Sequence, residues 1–343
     1  MFKARRLYLD NAKAVLIYLM VLMHFVSMGI IQRSALFQES YEFVYAFHMH
    51  AFIFISGFLS QKSDTDPVTC VKKYLIPYFL ICVLTWIYQK LLFGTGTFMV
   101  WIPPNTLWFL LALFLYKLFT PVFQRLKFVV IISFAIGISA GFFTIFDSDI
   151  LALGNFFGYL PFYVAGLKFP EERLTKLRQI RIVRTGIAVA GVCLILGLIY
   201  LPKAFDLGGN IFRLRWSYEL MGLSADIGIL IRLYSYAAAF CATLGLMLIM
   251  PDRKLPITDI GKNTITVYVG HMFLLKVFQK IKFVPGMTGN LGWDAALTIL
   301  IALVIVVILA LEPVAKGYHK GLVFVNSAIF KQYGEYREQR KPS

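Results

Sequence analysis

Ten residues separate Lys13 from His24 within an apolar stretch that runs to about Ile31. Eleven steps of about 100° return to within roughly 20° of the starting direction, so on a helix both side chains share one face, about 16 Å apart along the axis. An ionisable group at membrane depth costs several kcal/mol unless partners or water rescue it, so such groups mark function. Histidine suits proton transfer near neutral pH, and a positioned general base contributes roughly 100-fold to 10,000-fold. His24 is therefore the candidate base, against the plainer reading of a histidine hydrogen-bonded between helices. Asp10 lies near the same stripe but about 21 Å from His24 by helix rise, too far to orient the imidazole. An ion pair between Asp10 and Lys13, about one turn apart, is its simplest role.

Further polar clusters interrupt apolar sequence. His48 and His50 point about 200° apart on a helix, so at most one shares a pocket with His24. No carboxylate or cysteine stands beside them, and no metal is expected. Ser56-Gly57 sits among bulky apolar residues and allows close helix approach. Lys72 and Lys73 precede Pro77-Tyr78, a set that could hold phosphates and stack on a nucleotide base. Trp108 opens a later apolar window, where an interfacial aromatic belt is the alternative. Asn263, Thr264, Tyr268 and His271 form a broad polar face on one helix, suited to interhelical hydrogen bonds or to a site.

The elements that must position these residues are membrane helices. The chain has 343 residues, 59% hydrophobic and 15% charged, with mean hydropathy +0.73. That excludes an ordinary soluble domain. Windows of roughly 20 apolar residues predict an all-α protein of about ten transmembrane helices, near 12–31, 42–60, 74–93, 105–124, 128–146, 150–167, 183–201, 227–250, 263–281 and 294–312. The expected domain is single, 1–343, with a helical core over about 8–316 and a short tail 317–343. Of the 34 lysines and arginines, 23 fall on the side of the N-terminus and 6 on the other. By the positive-inside rule both termini are cytoplasmic. The net charge of +16 is thus a topology signal, not a sign of nucleic-acid binding.

The first apolar run is too long for a signal-peptide core and lacks an A-x-A site. The four cysteines show no C-x-x-C spacing. Residues 168–184 read as a charged linker, with an interfacial helix as the alternative. The loop 201–226 carries Asp206, Gly208, Gly209, Arg213, Arg215, Trp216, Tyr218 and Glu219, a mixture compatible with carbohydrate binding or with an ordinary external loop.

In this order the clusters resemble the membrane-bound acyltransferase family 3, in particular its fucose 4-O-acetylase-like branch. The matching stretches are Tyr8-Leu9-Asp10-Asn11-Ala12-Lys13 with His24, Phe47-His48-Met49, Phe54-Ile55-Ser56-Gly57-Phe58, Lys72-Lys73 before Pro77-Tyr78, Leu107-Trp108-Phe109, Leu160 to Gly166, and Gly261 to His271. The resemblance implies an acyltransferase of the bacterial cytoplasmic membrane. It would move an acyl group, usually acetyl, from acetyl-CoA or another acyl-CoA to a hydroxyl of a glycan or small acceptor. It maps the functional pair onto Lys13 and His24. The family's basic residues are usually arginine, and lysine lacks the bidentate fork. On this reading Asp10, Lys72, Lys73, Tyr78 and Trp108 belong to the donor side. His48, Ser56, Asn263, Tyr268 and His271 support the acceptor or the oxyanion. The alternative is a transporter or flippase for a saccharide or lipid-linked substrate, with Asp10, Lys13, His24 and His271 lining its path.

Overall fold

The computed structural model describes residues 6–29, 33–62, 66–204, 214–281 and 288–330. Asp206, Gly208, Gly209, Arg213 and the tail beyond 330 lie outside them. The helices are α1 Leu7–Val26, α2 Ala35–Tyr45, α3 His48–Leu59, α4 Pro67–Cys70, α5 Ile76–Phe93, α6 Trp108–Arg125, α7 Val129–Ser139, α8 Leu153–Lys168, α9 Glu171–Gln179, α10 Arg181–Ala204, α11 Ala225–Ile249, α12 Thr258–Lys262, α13 Thr264–Lys280, α14 Leu291–Ala310 and α15 Glu312–Ile329. No strand occurs among the described residues.

Seven helical segments are long and apolar enough to cross a membrane: Leu7–Val26, Ala35–Leu59, Pro67–Phe93, Ile150–Lys168, Arg181–Lys203, Ala225–Ile249 and Leu291–Ala310. The protein is therefore a multi-pass membrane protein. The other three expected windows fall on α6, α7 and α13. Lys117, Gln124 and Arg125 lower the hydropathy of α6, while α7 has 11 residues and α13 has 17.

Two expectations about connectors change. Residues 168–184 contain a helix, α9, because its buried Leu174 packs inward and Arg178 donates to the carbonyls of Met247 and Met250. The chain expected to leave the helical core near 316 stays helical to Ile329. There α15 exposes Val314, Val323 and Phe324 beside Lys316 and Lys320, the composition of an interfacial helix.

Helix α1 runs through the centre, with 13 of its 20 residues buried. Its start is tied down by Asn11, which donates to the carbonyls of Pro251 (2.8 Å) and Arg253 (3.0 Å) and accepts from Thr258 Oγ1 (2.6 Å). Gly261 of α12 packs there so tightly that a Cβ would lie 1.8 Å from the Asp10 carbonyl. Beside α1, helices α3 and α8 cross backbone to backbone. A Cβ on Gly57 would fall 2.1 Å from the Tyr163 carbonyl, and one on Gly166 would fall 2.1 Å from that of Phe54. Small residues at both helices permit this approach.

Candidate functional site

The face where α1 begins is termed proximal, and the face where it ends distal. Two cavities lie against α1. The distal one, about 280 Å³, is lined by His24, Tyr45, His48, Trp108, Asn155 and Arg215 among others. The proximal one, about 230 Å³, is lined by Lys13, Ser56, Tyr74, Lys117 and Thr264, with apolar walls from Ile17, Phe52, Ile55 and Leu113. Both include Met20, Met49 and Tyr268. These three residues stand between the two cavities, so Lys13 and His24 lie in chambers that adjoin.

The helical register of α1 explains why one helix serves both chambers. Lys13, Ile17, Met20 and His24 recur at spacings of four, three and four, which is one stripe. At the proximal end Lys13 Nζ pairs with Asp10 at 2.9 Å. At the distal end the His24 ring stacks on His271, with centroids 5.4 Å apart and planes at 28°. Tyr45 meets His24 edge-on at 6.3 Å and His48 at 5.0 Å. No hydrogen bond to a ring nitrogen of His24 occurs among the described residues, so its edge is available to the cavity.

Local backbone fixes the neighbouring histidines. His48 Nδ1 lies 2.8 Å from the Val44 carbonyl and His271 Nδ1 lies 3.0 Å from that of Val267. A carbonyl only accepts, so in each neutral ring Nδ1 carries the proton and Nε2 is the basic nitrogen. His48 lines the distal chamber. His271 is fully buried behind His24, and its Nε2 has no partner among the described residues. His50 faces the other way, between the rings of Tyr159 and Phe162.

Several expected site residues have other roles. Tyr268 donates its hydroxyl to the Thr106 carbonyl, and a phenol has one proton, so it cannot also donate to an oxyanion. Asn263 donates to the Ala310 carbonyl at 2.8 Å, where it closes the end of α14, and lines neither cavity. Tyr78 is buried and donates to the Val100 carbonyl at 2.5 Å. Trp108, expected with the donor, shares the chamber of His24, because α6 starts at the distal face; it stacks on Tyr159 at 5.3 Å.

Lys72 and Lys73 line neither cavity, whereas the next residue, Tyr74, does. Pro77 lacks an N–H and crowds the carbonyl four residues earlier, that of Lys73, and the chain answers with a π-helical turn over Val71–Leu75. That turn directs Lys72 onto the ring of Phe330 at 4.6 Å, while Asn326 donates to its carbonyl at 3.3 Å.

Three residues of the chambers escape the sequence reading of the site. Asn155, 5% exposed, presents an amide to the distal cavity with no partner among the described residues. Tyr45 bridges two histidines. Lys117 is a buried lysine in the proximal wall, marked in the sequence only as a cation deep in an apolar window. Arg215, in the loop considered for carbohydrate, lines the distal chamber and pairs with Asp149. Among the described residues no group of three or more His, Cys, Asp or Glu could hold a metal ion.

The fold and the paired cavities define a polytopic helical protein with two adjoining cavities along one central helix. Residues 6–312 match the family model described as an acyltransferase domain, and the chain belongs to that family, the membrane acyltransferase family 3. It is an acyltransferase, and the transporter alternative is not favoured. No curated protein and no solved structure matches the chain.

Proposed function

We propose that this protein is a membrane O-acyltransferase, of the fucose 4-O-acetylase-like kind, that takes an acetyl or other small acyl group from cytoplasmic acyl-CoA and places it on a hydroxyl of a glycan or small acceptor. The observation that carries the reading is the pair of chambers that adjoin at Met20, Met49 and Tyr268, with Lys13 in one and His24 in the other. The pantetheine arm of CoA, about twelve bonds or four extended residues long, reaches about 14 Å. Lys13 and His24 are about 16 Å apart by helix rise. A donor held by its phosphates at the proximal end thus delivers its thioester to His24, and the apolar proximal walls suit the arm.

The acceptor occupies the distal chamber against Trp108 and Asn155. His24 takes the hydroxyl proton as the oxygen attacks the thioester carbonyl. The tetrahedral adduct then expels the thiolate, which recovers the proton from the imidazolium, giving ester and free CoA. Asn155 is the available side-chain amide for the developing oxyanion or the acceptor. His271 backs the His24 ring, and His48 offers a second basic nitrogen. The basic residues on the proximal side support a cytoplasmic position for the donor chamber in a bacterial membrane.

The test is purified protein given labelled acetyl-CoA, with transfer or hydrolysis followed over time. His24→Ala is expected to lower turnover at least 100-fold while CoA still raises the melting temperature. A His24→Ala protein as active as the parent overturns the assignment. Stabilisation by free sugars but not by CoA would favour transport.

A further inference from the structure

Lys117 is the cation of the proximal chamber that the mechanism leaves unused. It is 8% exposed, lies on α6 and lines the proximal cavity together with Lys13. Its ammonium donates to Ser60 Oγ and to the Ser56 carbonyl, the latter at 3.4 Å. Ser60 Oγ gives its own proton to that same carbonyl at 2.6 Å, so it serves Lys117 only as an acceptor. An ammonium has three N–H donors, and one is left for the cavity.

The two proximal lysines differ in charge balance. Lys13 is neutralised by Asp10 at 2.9 Å. Lys117 has no carboxylate partner among the described residues, only neutral oxygens. A buried charge without a counter-charge is costly, and an anionic ligand relieves that cost. Depth selects the part of the ligand. Ser60 follows His48 by twelve residues on and just past α3, a rise of about 18 Å, so the Lys117 ammonium is separated from the histidines by one pantetheine arm of about 14 Å plus the length of a phosphate contact. At that distance a donor whose thioester is at His24 presents phosphate.

We propose that Lys117 is the donor-site cation of the proximal cavity, and that its ammonium binds a phosphate of the acyl-CoA whose thioester reaches His24. This rests on the reading that acyl-CoA is the donor. It moves phosphate binding from Lys72 and Lys73, which line neither chamber, to a lysine inside the bundle.

Calorimetric titration of the full chain in phosphatidylcholine nanodiscs tests it, with CoA and with phosphate-free pantetheine as ligands. Lys117→Gln keeps a polar contact to Ser60 without the charge, and Lys117→Met removes both. In either variant CoA affinity is expected to fall about 10- to 100-fold, the loss of a charge-assisted hydrogen bond, while pantetheine affinity changes less than about twofold. Equal weakening of both ligands would make Lys117 a structural cross-link of α6 to α3 and overturn the proposal. So would unchanged CoA binding, or an effect seen only after phosphatidylglycerol is added, which would assign the lysine to a lipid headgroup. A parent protein that binds no CoA would fail the donor reading itself. Should neither neutral variant fold, Lys117→Arg keeps the charge, and CoA binding by it within about threefold of the parent, with a salt dependence as steep, supports the role; a flat salt dependence in both proteins refutes it.

Discussion

The two chambers share a central helix and three lining residues, yet their walls differ in chemistry. The distal one presents His24, His48, Asn155, Trp108 and Arg215, side chains that hydrogen-bond, stack or move a proton. The proximal one is apolar apart from Lys13, Lys117, Ser56, Tyr74 and Thr264. A polar acceptor is recognised by many directional contacts, whereas a flexible arm needs only a dry channel and a charge at its tail. The stripe of α1 puts Lys13 and His24, the two groups the proposed transfer uses, on one helix.

The change expected to matter most strikes what the chambers have in common. Gly166→Leu would drive a side chain into the Phe54 carbonyl at the α3–α8 crossing, where even a Cβ would fall 2.1 Å away. Neither backbone can yield without displacing Ser56 from the proximal wall and His48 from the distal one. The cost is on the order of 4 kcal/mol or more. The expected result is loss of the monodisperse peak in size-exclusion chromatography of the detergent-solubilised protein; a folded, active variant would show that the crossing does not set the chambers.

Trp108→Ala separates the chambers instead of collapsing them. The indole lies in the distal wall, stacked on Tyr159. Its removal is expected to raise the KM for the acceptor about tenfold, from lost aromatic contact worth roughly 1 to 2 kcal/mol, and to leave CoA affinity unchanged. Titration with CoA and steady-state kinetics in the acceptor decide it. A fall in CoA affinity with the acceptor KM untouched would return Trp108 to the donor side.

How much of this was legible in the sequence depends on whether the determining contact was local. Hydropathy and the 3.6-residue period located the helices and placed Lys13 and His24 on one face, because both signals lie within a single segment. Ser56-Gly57 announced a close crossing, although its partner Gly166 could not be named from either segment alone. The side of the site to which Trp108 belongs, and the bond of Tyr268 to a carbonyl 162 residues away, are tertiary facts. Lys117 stood alone in an apolar window, and nothing near it in sequence indicates the Ser60 of another helix or the cavity between them. Asn155 likewise gains meaning only where α8, through Tyr159, stacks on Trp108 of α6.

The smallest effect belongs to Lys72, and its smallness is informative. The sequence pattern makes Lys72 and Lys73 natural phosphate ligands, since paired cations beside tyrosines open the third window at the proximal face. The π turn forced by Pro77 turns Lys72 off the cavity and leaves Tyr74 in its wall. Lys72 then meets the Phe330 ring at 4.6 Å, a half-exposed cation–π contact worth about 0.5 to 1 kcal/mol. Lys72→Met should therefore change CoA affinity less than about twofold under conditions where Lys117→Met costs tenfold or more, and should slightly weaken the docking of α15. Parallel titrations of the two variants check this. If Lys72→Met proves the more damaging, donor phosphates bind outside the bundle at the π turn, and the proximal chamber holds only the arm.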